Sequence, residues 1–155
     1  MTRKNHSYPT EAGKVIFGSL TAGTDLIEGI LEECRKQQIS SGMVTCIGSL
    51  KEVGYVLFET KNNHPTGYGK QITIKNPVEL IHCTGFICED ENGELDIHLH
   101  GLVTEETGKI SGGHFLKGVN PTLITIEFTI VCGNEIKAVR EYDEELTFKV
   151  INYSR

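Results

Sequence analysis

The stretch VELIHCTGFICEDENGELDIHLHGLVTEETGKISGGHFL, residues 78–116, decides the fold. Two runs in it, Val78 to Cys88 and Leu95 to Val103, are apolar and rich in residues that favour strands. Between them stands Asp90-Glu-Asn-Gly93. Asn-Gly accepts the positive φ angles of a tight hairpin turn, so the two runs read as antiparallel neighbours. A second turn at Thr104 to Lys109, containing Gly108, leads to a third strand at Ile110 to Leu116.

Upstream of this meander, Lys14 to Leu20 reads as a strand. Asp25 then offers an N-cap with Glu28 three residues on, a capping-box pattern. Leu26, Ile27, Ile30, Leu31 and Cys34 recur at helical spacing and predict a helix ending near Gln38. Met43 to Ile47 and Val53 to Thr60 read as strands, and Asn62 to Gly67 as a turn. Downstream, Leu123 to Val131 alternates well, Gly133-Asn134 marks a turn, and Leu146 to Ile151 is a final strand. One helix among many short strands predicts an α+β fold: an antiparallel β-sheet system with one main helix packed on a face. Residues 1–12 read as a flexible leader and 13–151 as a single domain.

The chain has 155 residues, 38% hydrophobic and 23% charged. That is enough to bury a core without metals or disulfides, so a metal would serve a site. The net charge is -6 and Arg3-Lys4 is the one basic cluster, which weighs against binding a phosphate backbone. No apolar run approaches a membrane span, and the polar N-terminus lacks a signal core. Cys34, Cys46, Cys83, Cys88 and Cys132 are odd in number and form no Cys-x-x-Cys pair. Reduced thiols and a cytoplasmic location follow.

Candidate chemistry concentrates in the quoted stretch. His98 and His100 alternate with Leu99 on one strand, so both project from the same face, with Cβ atoms roughly 6.5 to 7 Å apart. His114 lies on the next strand, which can bring it opposite the pair. Three neutral imidazoles suit zinc and leave a fourth tetrahedral position for water or a small ligand. Gly112 and Gly113 beside His114 remove Cβ atoms, allowing close approach of backbone or a bound group. Asp96 shares the parity of the two histidines and either orients an imidazole or stands in water. Glu79, in the apolar run Val78 to Ile81, is a further pocket candidate, either on a solvent face or paired in an interface. Parity does not decide whether His82 faces the site; His64 and His6 read as surface histidines.

Several elements in order resemble the plant and prokaryote conserved (PPC) domain family, in its stand-alone prokaryotic type. They are Ala22-Gly-Thr-Asp-Leu26, Ile47-Gly-Ser-Leu50, Glu79-Leu80 with Gly85, His98-Leu-His100, and Gly112-Gly-His-Phe-Leu116 followed by Gly118. The resemblance runs from about Lys14 to Thr147. It implies a compact domain with an antiparallel sheet, a homotrimer, and Zn2+ on His98, His100 and His114. Plant members add an arginine-rich AT-hook for the DNA minor groove, and the present sequence has no such segment. Plant members also use a Gly-Arg-Phe-Glu-Ile-Leu stretch for partner binding. Here Asn76-Pro-Val-Glu-Leu-Ile81 keeps Glu79 and loses the arginine. Two functions follow: a zinc site binding a small ligand, with catalysis left open, or a DNA-binding, regulatory or scaffolding oligomer whose metal is incidental or structural.

Overall fold

A computed structural model describes residues 3–155; Met1 and Thr2, the start of the expected leader, lie outside the described residues. The chain order is β1 (Ala12–Thr21), α1 (Leu26–Gln37), β2 (Gly42–Leu50), β3 (Val53–Val56), β4 (Phe58–Lys61), β5 (His64–Tyr68), β6 (Ile72–Ile74), β7 (Val78–Asp90), β8 (Leu95–Thr104), β9 (Ile110–Phe115), β10 (Thr122–Gly133), β11 (Lys137–Asp143) and β12 (Phe148–Ser154). Eight strands hydrogen-bond in the order β1-β10-β2-β7-β8-β9-β3-β6; β11 joins β7 and β12, and β4-β5 stand apart as a hairpin. Pairing is antiparallel except for β11, which meets β7 in parallel at Val139–Glu89 and Arg140–Asp90. The expected α+β architecture therefore fits in part. The fold is mostly antiparallel sheet, and the single helix among the described residues is short.

That helix forms where the periodicity places it. Asp25 Oδ1 accepts from the backbone N–H of Ile27 and Glu28 at 3.1 and 3.0 Å, and Oδ2 accepts from Asn120 N–H at 2.8 Å. One carboxylate thus caps the helix and ties it to the loop after β9. Gln38 ends the helix in the left-handed region at φ 58°. Leu26, Ile27, Ile30, Leu31 and Cys34 are buried against Leu20, Val44, Leu99, Phe115, Ile126 and Ile130. Each fully buried Leu or Ile contributes about 1.5–3 kcal/mol. Gly29 lets the helix close on β1: a Cβ there would stand 2.7 Å from Thr24 Cγ2 and 3.0 Å from Leu20.

Three strands were not legible: β5, β6 and β11. The turn expected at Asn62 to Gly67 is confined to Asn62 and Asn63, both with positive φ, at 52° and 61°. Lys61 then pairs with His64 and Thr60 with Pro65, so β5 carries a proline and a glycine. Such residues survive in a strand that is all edge. The run expected as Val53 to Thr60 breaks at Leu57, where β3 leaves the main sheet and β4 begins. In β11 charged residues mask an alternation that buries Ala138 and Arg140. Residues 3–11 have no regular secondary structure and run beside β12, with Arg3 Nη2 donating to Ile151 O at 2.6 Å and His6 Nε2 accepting from Tyr153 N–H at 3.1 Å.

Alternation along β8 sorts its side chains. Ile97, Leu99 and Val103 are buried beneath the helix, while Asp96, His98, His100 and Leu102 point to the other face. Among the described residues no helix is long and apolar enough to cross a membrane.

Candidate metal centre

The β8–β9 register places His100 directly opposite His114, with Gly101 opposite Gly113. Directly opposed residues share a face, so His114 joins His98 and His100. The three ring centroids are 4.8, 5.1 and 5.3 Å apart. One ligand atom from each ring lies within 4.8 Å of the others. His98 Nε2 and His100 Nε2 are 3.0 Å apart. Two ligands at 2.0–2.1 Å from a tetrahedral ion are separated by about 3.3 Å, so small ring rotations admit one.

The protonation state suits a cation. Burial, then the Arg140 guanidinium and the neighbouring imidazoles, push His98 down to about 4 and His114 to about 3. Burial and Arg140 also lower His100. At neutral pH all three rings are uncharged, the form that binds a metal. His114 is the most buried of the three, and its Nδ1 has no hydrogen-bond partner among the described residues. A buried ring nitrogen without a partner is costly unless something coordinates or bonds it. The donor set and this orphaned atom both fit a metal ion, so His98, His100 and His114 could hold one.

Residues from distant parts of the chain enclose the cluster. Tyr68 of β5 stacks on His114 with centroids 4.7 Å apart and planes at 26°. Phe148 of β12 meets Tyr68 edge-on at 5.1 Å. Arg140 of β11 is buried and donates from Nη1 to Asp96 Oδ2 at 3.2 Å and to Ile97 O at 3.3 Å. Sequence reasoning missed all three. The one signal was Arg140, a cation at the inward parity of Ala138, which a sheet tolerates only with a partner.

The expected pocket residues separate. Asp96 is on the histidine face, and its hydrogen bond is to Arg140. Glu79 is exposed at the far end of β7, opposite Ser49 and Thr104, and is not brought to the histidines. Gly113 lies beside the cluster, where a Cβ would stand 2.7 Å from Val56 O and 2.9 Å from Leu57 Cδ2. At Gly112 a Cβ would collide with Gly101 O. The missing Cβ atoms therefore admit neighbouring strands. His82 is exposed opposite Leu102.

Solved structures share this architecture. A metal-containing protein from Archaeoglobus fulgidus matches with TM-score 0.80 and 18% identity, over 94% of this chain and 98% of that one. A plant- and prokaryote-conserved (PPC) protein from Pyrococcus horikoshii matches with TM-score 0.79 and 23% identity, over 94% and 96%. A "putative dna binding protein" from Bacteroides thetaiotaomicron matches with TM-score 0.76 and 21% identity, over 94% and 99%. At these identities the likeness shows the fold. None of the curated proteins matches the chain. The sequence pattern of the Plants and Prokaryotes Conserved (PCC) domain matches residues 8–132, the span holding all three histidines, and the chain belongs to that family.

Proposed function

We propose that this protein is a zinc-binding domain, spanning residues 13–151, whose metal site accepts a small ligand. His98, His100 and His114 are the ligands in this reading. The observation that carries it is the convergence of three uncharged imidazoles on one face, with ligand atoms within 4.8 Å of one another. Bound zinc supplies Lewis-acid polarisation of whatever occupies its fourth position. The chain's own residues position the site. Gly112 and Gly113 bring three strands together, Tyr68 fixes the His114 ring, and the Arg140–Asp96 pair sets the charge beside His98. The Archaeoglobus protein's description as metal-containing agrees with this reading.

The working unit in this reading is a cytoplasmic homotrimer. Val15, Phe17, Met43, Ile47 and Phe86 are all exposed apolar residues on the histidine face of the main sheet, with Phe17 80% exposed. Val15–Val131–Met43–Phe86–His98 form one cross-strand row. A contiguous apolar face of this kind suits association with copies of itself. All five cysteines are free and buried, which suits a reducing compartment.

Metal analysis of protein purified without added metal tests the site. Wild type should carry about one zinc per chain, and His98→Ala should lose it. Equal metal in both would overturn the assignment. Light scattering should return three times the 17.2 kDa chain mass. The name of the Bacteroides neighbour favours DNA binding instead. The net charge of -6 opposes it, and absence of a mobility shift on duplex DNA at low salt would remove that reading.

A further inference from the structure

Beside the three histidines lies a cleft of about 400 Å3, within the size range of small-molecule sites. His100 and His114 form part of its wall, and Leu57, Pro65, Tyr68 and Phe148 supply most of the rest. Its surface is thus apolar apart from the imidazoles. Leu57 and Phe58 remain half-exposed or more at its mouth. His114 is nine-tenths buried, and its Nδ1 has no hydrogen-bond partner among the described residues. The cleft and the histidine cluster are one continuous site.

The charge around it is one-sided. Three imidazole ligands bring no negative charge, and Arg140 and Asp96 beside them are bonded to each other. Arg140 Nε is buried and has no partner. A divalent ion on the histidines therefore leaves a net positive centre at the floor of an apolar cleft. The complementary ligand has a small anionic oxygen head and an apolar body. The volume leaves room for an aromatic ring or a branched chain.

We propose that this cleft binds small aromatic or branched aliphatic oxyanions, with the anionic head at the histidines and the apolar body against Leu57, Pro65, Tyr68 and Phe148. The inference rests on the three-histidine metal reading and goes further by naming the ligand class. The specificity comes from Leu57, between β3 and β4, and from β5 and β12, outside the metal-binding strands. Tyr68 and Phe148 are positioning and specificity residues here.

Two probes with one chelating head and different bodies test it. Benzohydroxamate and acetohydroxamate are titrated calorimetrically into zinc-loaded protein. Benzohydroxamate should bind about tenfold tighter or more, the order set by burying one aromatic ring. Leu57→Asn, at a half-exposed position, should shrink that ratio several-fold while zinc content stays at the wild-type level. Phe148→Ala should do the same more strongly. Equal affinity of the two probes for wild type would overturn the cleft's role. So would no binding of either probe to protein shown to hold zinc. Failure to take up zinc is read separately by metal analysis, and it overturns the underlying metal reading together with this one.

Discussion

Two hairpins build the histidine site, and they differ in nearly every respect. The β7–β8 hairpin is long, lies mid-sheet, and buries one face under the helix: Leu80, Cys83, Ile87, Leu99 and Val103 are 2% exposed or less. Its turn is tied by Asp90, whose Oδ1 accepts from the N–H of Asn92 at 2.8 Å and Glu94 at 2.9 Å. The β4–β5 hairpin is short, and every residue of β4 is exposed. It is bound to the rest largely through Tyr68 on His114 and Phe148. The first carries two histidines and the second covers the third. A rigid half therefore holds the donors in place, and a lightly attached half shapes what reaches them.

The largest effect should come from Leu99→Ala. Leu99 is fully buried between the two histidines in sequence and faces the helix. Removing it leaves a cavity in packed surroundings and should lower stability by about 2–5 kcal/mol in denaturant titration. A loss under about 1 kcal/mol would mean that β7–β8 is not the rigid half described above.

Acid should act on the same hairpin through its turn. Donation from the Glu94 and Asn92 N–H groups holds the Asp90 carboxyl below its usual range. Its folded value is thus depressed relative to the unfolded chain. The stabilisation is present above the unfolded value, near pH 4, and is lost as pH falls through the folded one. Wild type should lose stability more steeply than Asp90→Asn between about pH 5 and 2. The asparagine keeps an accepting oxygen, so the turn survives and the titration does not. Parallel stability curves for the two would remove Asp90 as a contributor.

The contrast between the hairpins also explains what the sequence disclosed. Strand alternation and the Asn92-Gly93 turn are local signals, and they located β7, β8, β9 and the histidine face. The capping pattern at Asp25 located the helix for the same reason. The β4–β5 hairpin has no buried face of its own, so no period of two marks it, and Pro65 and Gly67 read as turn residues. Arg140 and Phe148 reach the site through tertiary pairing of β11 and β12, which no local pattern encodes. Glu79 stands on a solvent face, one of the two placements its apolar run left open. Of the two uses open to the glycine pair, close approach of backbone is the one realised: Gly101 O and Val56 O, with the Leu57 side chain, occupy the space it leaves.

The smallest stability effect should come from Tyr68→Ala. Tyr68 is 41% exposed, and its stacking on His114 and edge contact with Phe148 are the main attachments it offers. Aromatic pairs of this kind contribute about 0.5–1.5 kcal/mol each, and partial exposure reduces what truncation removes. Denaturant titration should therefore show a loss of about 1 kcal/mol, well below that of Leu99→Ala. Amide exchange supplies the sharper reading. In Tyr68→Ala the amides of β4 and β5 should exchange faster, while those of β7 and β8 keep wild-type protection. If both hairpins lose protection together, they form one cooperative unit, and the division of the site into a rigid half and a lightly attached half fails.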